Sequence, residues 1–413
     1  LTLILLIQLP VFADHVPQSD ITPDVPRDGI PPLDNPKYDT VAEADWWADE
    51  DWVLVYERNG DARAYPINIM NWHEIVNDTI GGLEVLVSYC PLCRSGIVFD
   101  RHLNKAEIPP EAQGILTEDT ILAFGNTGSL YESDMVMYDR QTDSQWFQVG
   151  GEALIGPLHG VKMKRLPSSM MPWKLFKESY PEGLVLSKDT GYSNRDYEHD
   201  MFERYSQNQE NLYFGTSFKD ERLPLKARIL GVSFDGVDRA YHLDNLEDGL
   251  YMDQVGQQPV VLFVSQGAGV VYEPRVNDQL FSFHSQDGTF MDEQTNSIWD
   301  FSGKAISGEL SGLQLERLTQ TNIYWFSWAI HQPDTDVVPE LDSFQSYEVI
   351  DFTGSSTEMA KVDTGANVEA QQTLLSEQTV AEQTGGFSEW IWPVLLGVTV
   401  ALGIALLIAL NKN

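Results

Sequence analysis

The chain repeats itself, and this limits its possible folds more than any other feature. Residues 139–146 read DRQTDSQW and residues 292–299 read DEQTNSIW, so five of eight positions match. Residues 151–185 then align without a gap to residues 303–337. Ten of those 35 positions are identical, where ordinary residue usage would give about two. The matches include Gly156 with Gly308, Gly160 with Gly312, Arg165 with Arg317, Trp173 with Trp325 and Pro181 with Pro333. Upstream, Arg58-Asn-Gly60 and Arg63-Ala-Tyr65 correspond to Phe234-Asp-Gly236 and Arg239-Ala-Tyr241, and Gly96-Ile-Val-Phe99 corresponds to Gly269-Val-Val-Tyr272. Self-similarity on this scale predicts one supersecondary plan used twice. The first copy spans 52–187, the second 228–340, and 188–227 joins them. An acidic arm, 14–51, precedes the first.

Local patterns within each copy read as β. VLVYERNGDARAYPI is two extended runs around Asn59-Gly60, a strong hairpin signal. EVLVSY and SGIVFDR are apolar, β-branched runs on either side of Cys90-Pro-Leu-Cys93. MPWKLFKESYP and its counterpart IYWFSWAIHQP read as short helices ended by proline. The expected class is mainly β with a few short helices, internally duplicated; the pattern fits a sandwich and a barrel equally. Trp146 and Trp299 hold equivalent positions and are expected in the core.

Several motifs together resemble a known family. They are Tyr89-Cys-Pro-Leu-Cys93 with Phe99-Asp-Arg101, preceded by Trp72-His-Glu-Ile-Val-Asn-Asp78 and followed by Tyr138-Asp-Arg-Gln-Thr142 and Trp146. Arg63-Ala-Tyr-Pro66 and Asp189-Thr-Gly-Tyr192 fit as well. The chain is similar here to the domain-of-unknown-function family 3179. The likeness runs from about Val25 to Tyr205, and more weakly through the second copy. It implies no activity, because the family is defined by sequence.

Cys90 and Cys93 are the only cysteines of the chain. A disulfide between them would close so short a loop that it would stabilise the fold by only roughly 2 kcal/mol, so stapling is a poor reason for the spacing. Two thiolates with His73 as third ligand would suit a soft or borderline metal, copper or zinc. The alternative is a thiol-disulfide oxidoreductase cycling Cys90 and Cys93; another is a non-catalytic surface module that binds a glycan or protein, and the small-molecule or protein partner is unknown. Glu74, Asn77 and Asp78 would surround His73. His159, in a Gly-rich turn, is a further candidate ligand. Asp100 with Arg101, and Asp139 with Arg140, are expected as ion pairs near the site. An ungapped comparison sets Phe263 and Gln266 where the cysteines stand and Gly249 near His73, which makes the site specific to the first copy. Residues 189–205, polar and aromatic, are expected to cap a pocket beside it.

The two ends suggest where the protein works. Residues 1–13 read as the apolar region and cleavage site of a secretory signal peptide with a truncated start. Residues 393–410 carry no charge, with Trp390 and Trp392 at one end and Lys412 at the other. They predict a transmembrane helix over 389–411, preceded by a flexible Ser/Thr/Gln-rich stalk over 341–388. The expectation is a single-pass cell-membrane protein with its body outside the cytoplasm and its C-terminus inside. The formal net charge of −36 argues against a nucleic-acid partner. Acidity alone is no calcium site, because no D-x-D-x-D-G loop ending in Glu occurs.

Overall fold

Turn chemistry sets the frame of each half. In the computed structural model, residues 20–286 and 288–338 are described. Asn59 and Gly60 both take positive φ, 54° and 82°, and fold β1 (Trp52–Arg58) onto β2 (Asp61–Pro66). Helix α1 (Ile67–His73) follows, and then a meander of β3 (Ile75–Ile80), β4 (Leu83–Cys90) and β5 (Ser95–Asp100). A second meander runs through β6 (Phe124–Tyr131), β7 (Asp134–Asp139), β8 (Gln145–Phe147) and β9 (Glu152–Ile155). The half closes with β10 (Ser169–Pro172), α2 (Trp173–Ser179) and β11 (Leu184–Leu186), and β11 lies parallel to β2. Helix α3 (Glu203–Gln207) lies in the connecting segment.

The second half runs through a similar succession, with a 3-10 turn, Leu243–Asn245, where the first half has α1. Asp235 and Gly236 make the positive-φ turn between β12 (Arg228–Phe234) and β13 (Val237–His242). The first meander is β14 (Gly249–Val255), β15 (Gln258–Ser265) and β16 (Ala268–Tyr272). The second is β17 (Phe283–Gln286), β18 (Thr289–Asp292), β19 (Ile298–Trp299) and β20 (Ala305–Ser307). Then come β21 (Thr321–Tyr324), α4 (Trp325–His331) and β22 (Asp336–Val338), with β22 parallel to β13.

The halves do not fold as separate bodies. One nine-stranded sheet runs from β3, β4 and β5 of the first half into β21, β12, β13 and β22 of the second. The first half's own frame, β10, β1, β2 and β11, forms another sheet with Tyr38–Thr40. The nine-stranded sheet is open, and β4 is buried on both faces. Val85, Val87 and Tyr89 join one core, with Leu54, Tyr65 and Phe263. Leu86 and Cys90 join the other, with Phe124, Met137 and Trp146. This alternation is the period-2 geometry of a strand, and it decides which way Cys90 points. Trp146, Trp173, Trp299 and Trp325 are all essentially inaccessible. Burying a large side chain stabilises by about 1.5–3 kcal/mol.

The matching parts of the two halves are structural. Asp139 accepts hydrogen bonds from the Thr142 N–H and hydroxyl and from Trp146 Nε1. Asp292 accepts the same set from Thr295 and Trp299. Likewise Asp78 takes the Tyr65 hydroxyl and the Arg63 guanidinium, while Asp253 takes the Tyr241 hydroxyl and lies 3.6 Å from Arg239 Nε. These buried carboxylates tie the strands together through charge-assisted hydrogen bonds.

Among the described residues no helix is long and apolar enough to cross a membrane. The segments 1–13, 341–388 and 389–411 lie outside the described residues.

Candidate functional site

Cys90 ends β4 and pairs with Ser95, the first residue of β5. Pro91, Leu92, Cys93 and Arg94 form the turn between them, with Arg94 at a φ of 52°. Both cysteines are free and buried. The turn is held from three sides. The Tyr324 N–H at the start of α4 donates to the Cys93 carbonyl (2.8 Å), and the Tyr205 hydroxyl of α3 donates to the Leu92 carbonyl (2.9 Å). Arg94 covers the Trp52 ring at 4.6 Å.

Below the turn lies a polar chain. Ser88 donates to the Ile97 carbonyl, and Gln148 Nε2 donates to Ser88 Oγ (3.0 Å). Ser95 Oγ donates to Gln148 Oε1 at 2.6 Å and lies 3.0 Å from Cys93 Sγ. A hydroxyl has one proton, and Gln148 Oε1 can only accept, so Cys93 is the donor to Ser95. Burial pushes the Cys93 thiol well above the usual thiol range, and contact with Cys90 and the charge of Asp134 push the same way.

Asp134 completes the group. It begins β7 and is fully buried. One ligand atom each from Cys90, Cys93 and Asp134 lie within 4.8 Å of one another. Asp134 Oδ2 accepts from Ser327 Oγ (2.7 Å) and lies 3.2 Å from His331 Nε2. Both partners project from α4, so the second half supplies them. Asp134 Oδ1 has no hydrogen-bond partner among the described residues. A buried carboxylate oxygen left alone is costly, and this carboxylate belongs to the group with the two sulfurs. The donor set is two thiolates and a carboxylate, which suits zinc and, through the sulfurs, copper.

The surroundings of Cys93 disfavour it as an attacking thiolate. A reactive thiol needs a depressed pKa, from a helix N-terminus or a nearby cation. The Cys90–Cys93 segment is instead a hairpin turn, and burial holds Cys93 protonated.

The expected ligand His73 is corrected by the geometry. Its Nδ1 lies 2.9 Å from the Pro31 carbonyl and its Nε2 2.7 Å from the Tyr197 hydroxyl, so both ring nitrogens are engaged. It is not in the group formed by the two cysteines and Asp134. Burial lowers its pKa to about 4. Asn77 staples β3 to the Phe124 backbone through both amide atoms. The two expected ion pairs also need correction, because neighbours along a strand point to opposite faces. Asp100 pairs with His102, and Arg101 donates to the Leu122 and Asp78 carbonyls. Asp139 serves Thr142 and Trp146, whereas Arg140 pairs with Asp34. His159 is not part of the group either.

Glu74 lies near the site, though not in the ligand group. It caps α1 in the left-handed region, φ 58°, and donates its N–H to the Met70 carbonyl. Asn126 Nδ2 donates to its carboxylate at 2.5 Å. Burial raises its pKa to about 8, against the bond from Asn126. Glu74 and Cys90 line one cavity of about 140 Å³. The segment expected to cap a pocket does so in part, since Phe202 closes this cavity and Tyr205 sits over the turn.

Strand register gives a better comparison with the second half than ungapped counting does. Gly96 and Gly269 are the anchors. A Cβ on Gly96 would lie 2.9 Å from Leu54 Cδ1, and one on Gly269 2.9 Å from Leu243 Cδ2. Pairing from these glycines sets Ser265 at Cys90, since Cys90 pairs with Ser95 and Ser265 with Ala268. The second turn is only Gln266-Gly267, two residues shorter, so Cys93 has no counterpart. Phe263 corresponds to Ser88, not to Cys90. Counted from Trp146 and Trp299, Phe301 stands at Gln148. Ala268 stands at Ser95 and Gly249 at Glu74. The polar chain under the cysteines is therefore replaced by Phe263, Phe301 and Ala268, all buried.

Residues 27–335 match the family described as protein of unknown function (DUF3179). The match covers well over half of the chain, which belongs to that family. No curated protein matches the chain. No solved structure matches it.

Proposed function

We propose that this member of the DUF3179 family is a membrane-anchored, extracytoplasmic metal-binding protein, holding one copper or zinc ion through Cys90, Cys93 and Asp134. The reading rests on one observation: two buried thiols lie within reach of a buried carboxylate whose Oδ1 has no partner among the described residues. The carboxylate favours zinc, because a purely soft ion would gain little from oxygen. Ser327 and His331 hold the other oxygen of Asp134 and fix its orientation, as outer partners of metal ligands do. Binding would release the thiol protons and so be stronger at higher pH.

The duplication belongs to the same reading. We infer that 228–340 is a copy that keeps the frame and has lost the site, and that it now serves the first copy by presenting α4. The signal peptide over 1–13 and the span over 389–411 support export and anchoring, with the body outside and Lys412 inside.

Elemental analysis of the purified full-length chain tests the metal. About one zinc or copper per chain is expected, and the double variant Cys90→Ser/Cys93→Ser should carry none. A folded chain without metal after incubation with either ion, or full metal content in the double variant, refutes the reading. Protease protection in membrane vesicles tests the topology: only the residues after 411 should be cytoplasmic.

A further inference from the structure

The cavity beside Cys90 has features the metal reading does not use. Its volume is about 140 Å³, close to that of cavities that hold benzene, about 150 Å³. Much of its wall is apolar, including Ile30, Pro91, Leu130 and Phe202. The exceptions are concentrated. Asn126 is fixed by the Gly128 N–H, which donates to its Oδ1 at 2.7 Å, and its Nδ2 points to Glu74. Glu74 is held in a left-handed backbone conformation rare for a residue with a side chain. Such strain persists only where the surroundings impose it. The second half has Gly249 at this position and Ser285 at that of Asn126, so the frame does not need the carboxyl.

We propose that this cavity binds a small uncharged organic molecule of about six heavy atoms, oriented by a hydrogen bond from the Glu74 carboxyl to its single acceptor. Asn126 already donates to one carboxyl oxygen, so the other is left to carry the proton toward a ligand. Burial keeps Glu74 neutral at ordinary pH. Anions are disfavoured by Asp24 in the wall and by the net charge of −36. A cation would lose its hydration against a mostly apolar wall and gain only the exposed Asp24 carboxylate. The site does not require the metal, although its occupant would touch Cys90.

The test uses four probes of similar size on the purified full-length chain: cyclopentanone, benzene, cyclopentylammonium and butyrate, followed by ligand-observed NMR titration. Cyclopentanone should bind saturably and at least about fivefold more tightly than benzene, the worth of one hydrogen bond. The two ions should bind more weakly than benzene. Glu74→Gln keeps a neutral donor and should keep the preference. Glu74→Gly, which copies the second half, should abolish it. Leu130→Phe should weaken every probe by filling the space. Equal binding of cyclopentanone and benzene, tighter binding of either ion, no saturable cyclopentanone binding, or a preference that survives Glu74→Gly would overturn the proposal.

Discussion

The two halves share a frame and differ at one end. In both, an aspartate gathers a threonine and a tryptophan, and an Arg–Tyr pair meets a second aspartate. These groups occur twice, so they are what the topology needs. Under the Cys90–Cys93 turn the halves diverge. Ser88, Ser95 and Gln148 stand where the second half buries Phe263, Ala268 and Phe301. The strand carrying Asp134 starts five positions before Asp139, whereas β18 starts three before Asp292. The apolar version is the simpler way to fill a core, because a polar chain there must satisfy every group. That the first half keeps the polar version, beside an Asp134 oxygen with no partner among the described residues, marks it as the place where function displaces packing.

The largest expected contrast is in metal content. Cys90→Ser/Cys93→Ser should remove metal entirely, while Ser265→Cys in the second half should gain none, both read by elemental analysis. If Ser265→Cys does gain metal, the surroundings of the first-half turn are not what makes the site. Next, Asp139→Ala and Asp292→Ala should each destabilise the fold by about 3 kcal/mol, since each strands buried donors. Urea unfolding with metal removed measures this. Unequal losses would mean that the two aspartates do not play the same part. Smaller effects follow from the second half's contribution. Asp134→Asn, which alters a ligand, should weaken metal binding by at least about a hundredfold, and His331→Ala, which removes an outer partner of that ligand, about tenfold. Competition with a chelator reads both, and an unaffected His331→Ala would break the link between halves.

The first half also sets a pH dependence, through Glu74 and His73. Glu74 has its pKa raised from 4.5 to about 8. Between those values the folded chain holds a proton that the unfolded chain does not, so Glu74 lowers stability progressively as pH rises from 4.5 through 8. His73 has its pKa lowered from 6.5 to about 4. Between those values the unfolded chain binds the extra proton, so stability is lost as pH falls from 6.5 to 4. Glu74→Gln should flatten the upper slope, and His73→Gln the lower one. Urea midpoints across pH give the answer; an unchanged upper slope in Glu74→Gln would remove the buried carboxyl as its cause.

Much of the frame was legible because it is local. Asn59-Gly60 specifies its hairpin, alternation specifies the strands, and proline marks the ends of α2 and α4. The matching turns and tryptophans of the two halves were legible for the same reason, because their signals are local. Two things were hidden. Asp134 looks like any polar residue opening an apolar strand, and its partner Ser327 is 193 residues away in sequence. Tertiary contact between α4 and the first residue of β7 brings them together, and no local pattern records it. His73 misled because it lies close to the cysteines in sequence and sits in a cluster of polar residues, yet its ring is spent on Pro31 and Tyr197. The counterparts of the cysteines were misread because counting without gaps cannot see a turn shortened by two residues, whereas strand pairing can.

X-ray absorption at the metal edge of the zinc- or copper-loaded full-length chain tests the site most directly. Two sulfur neighbours at about 2.3 Å with at least one oxygen at about 2.0–2.2 Å are expected, and a smaller oxygen contribution in Asp134→Ala would follow. A first shell of nitrogen and oxygen without sulfur would contradict a metal centre at Cys90, Cys93 and Asp134.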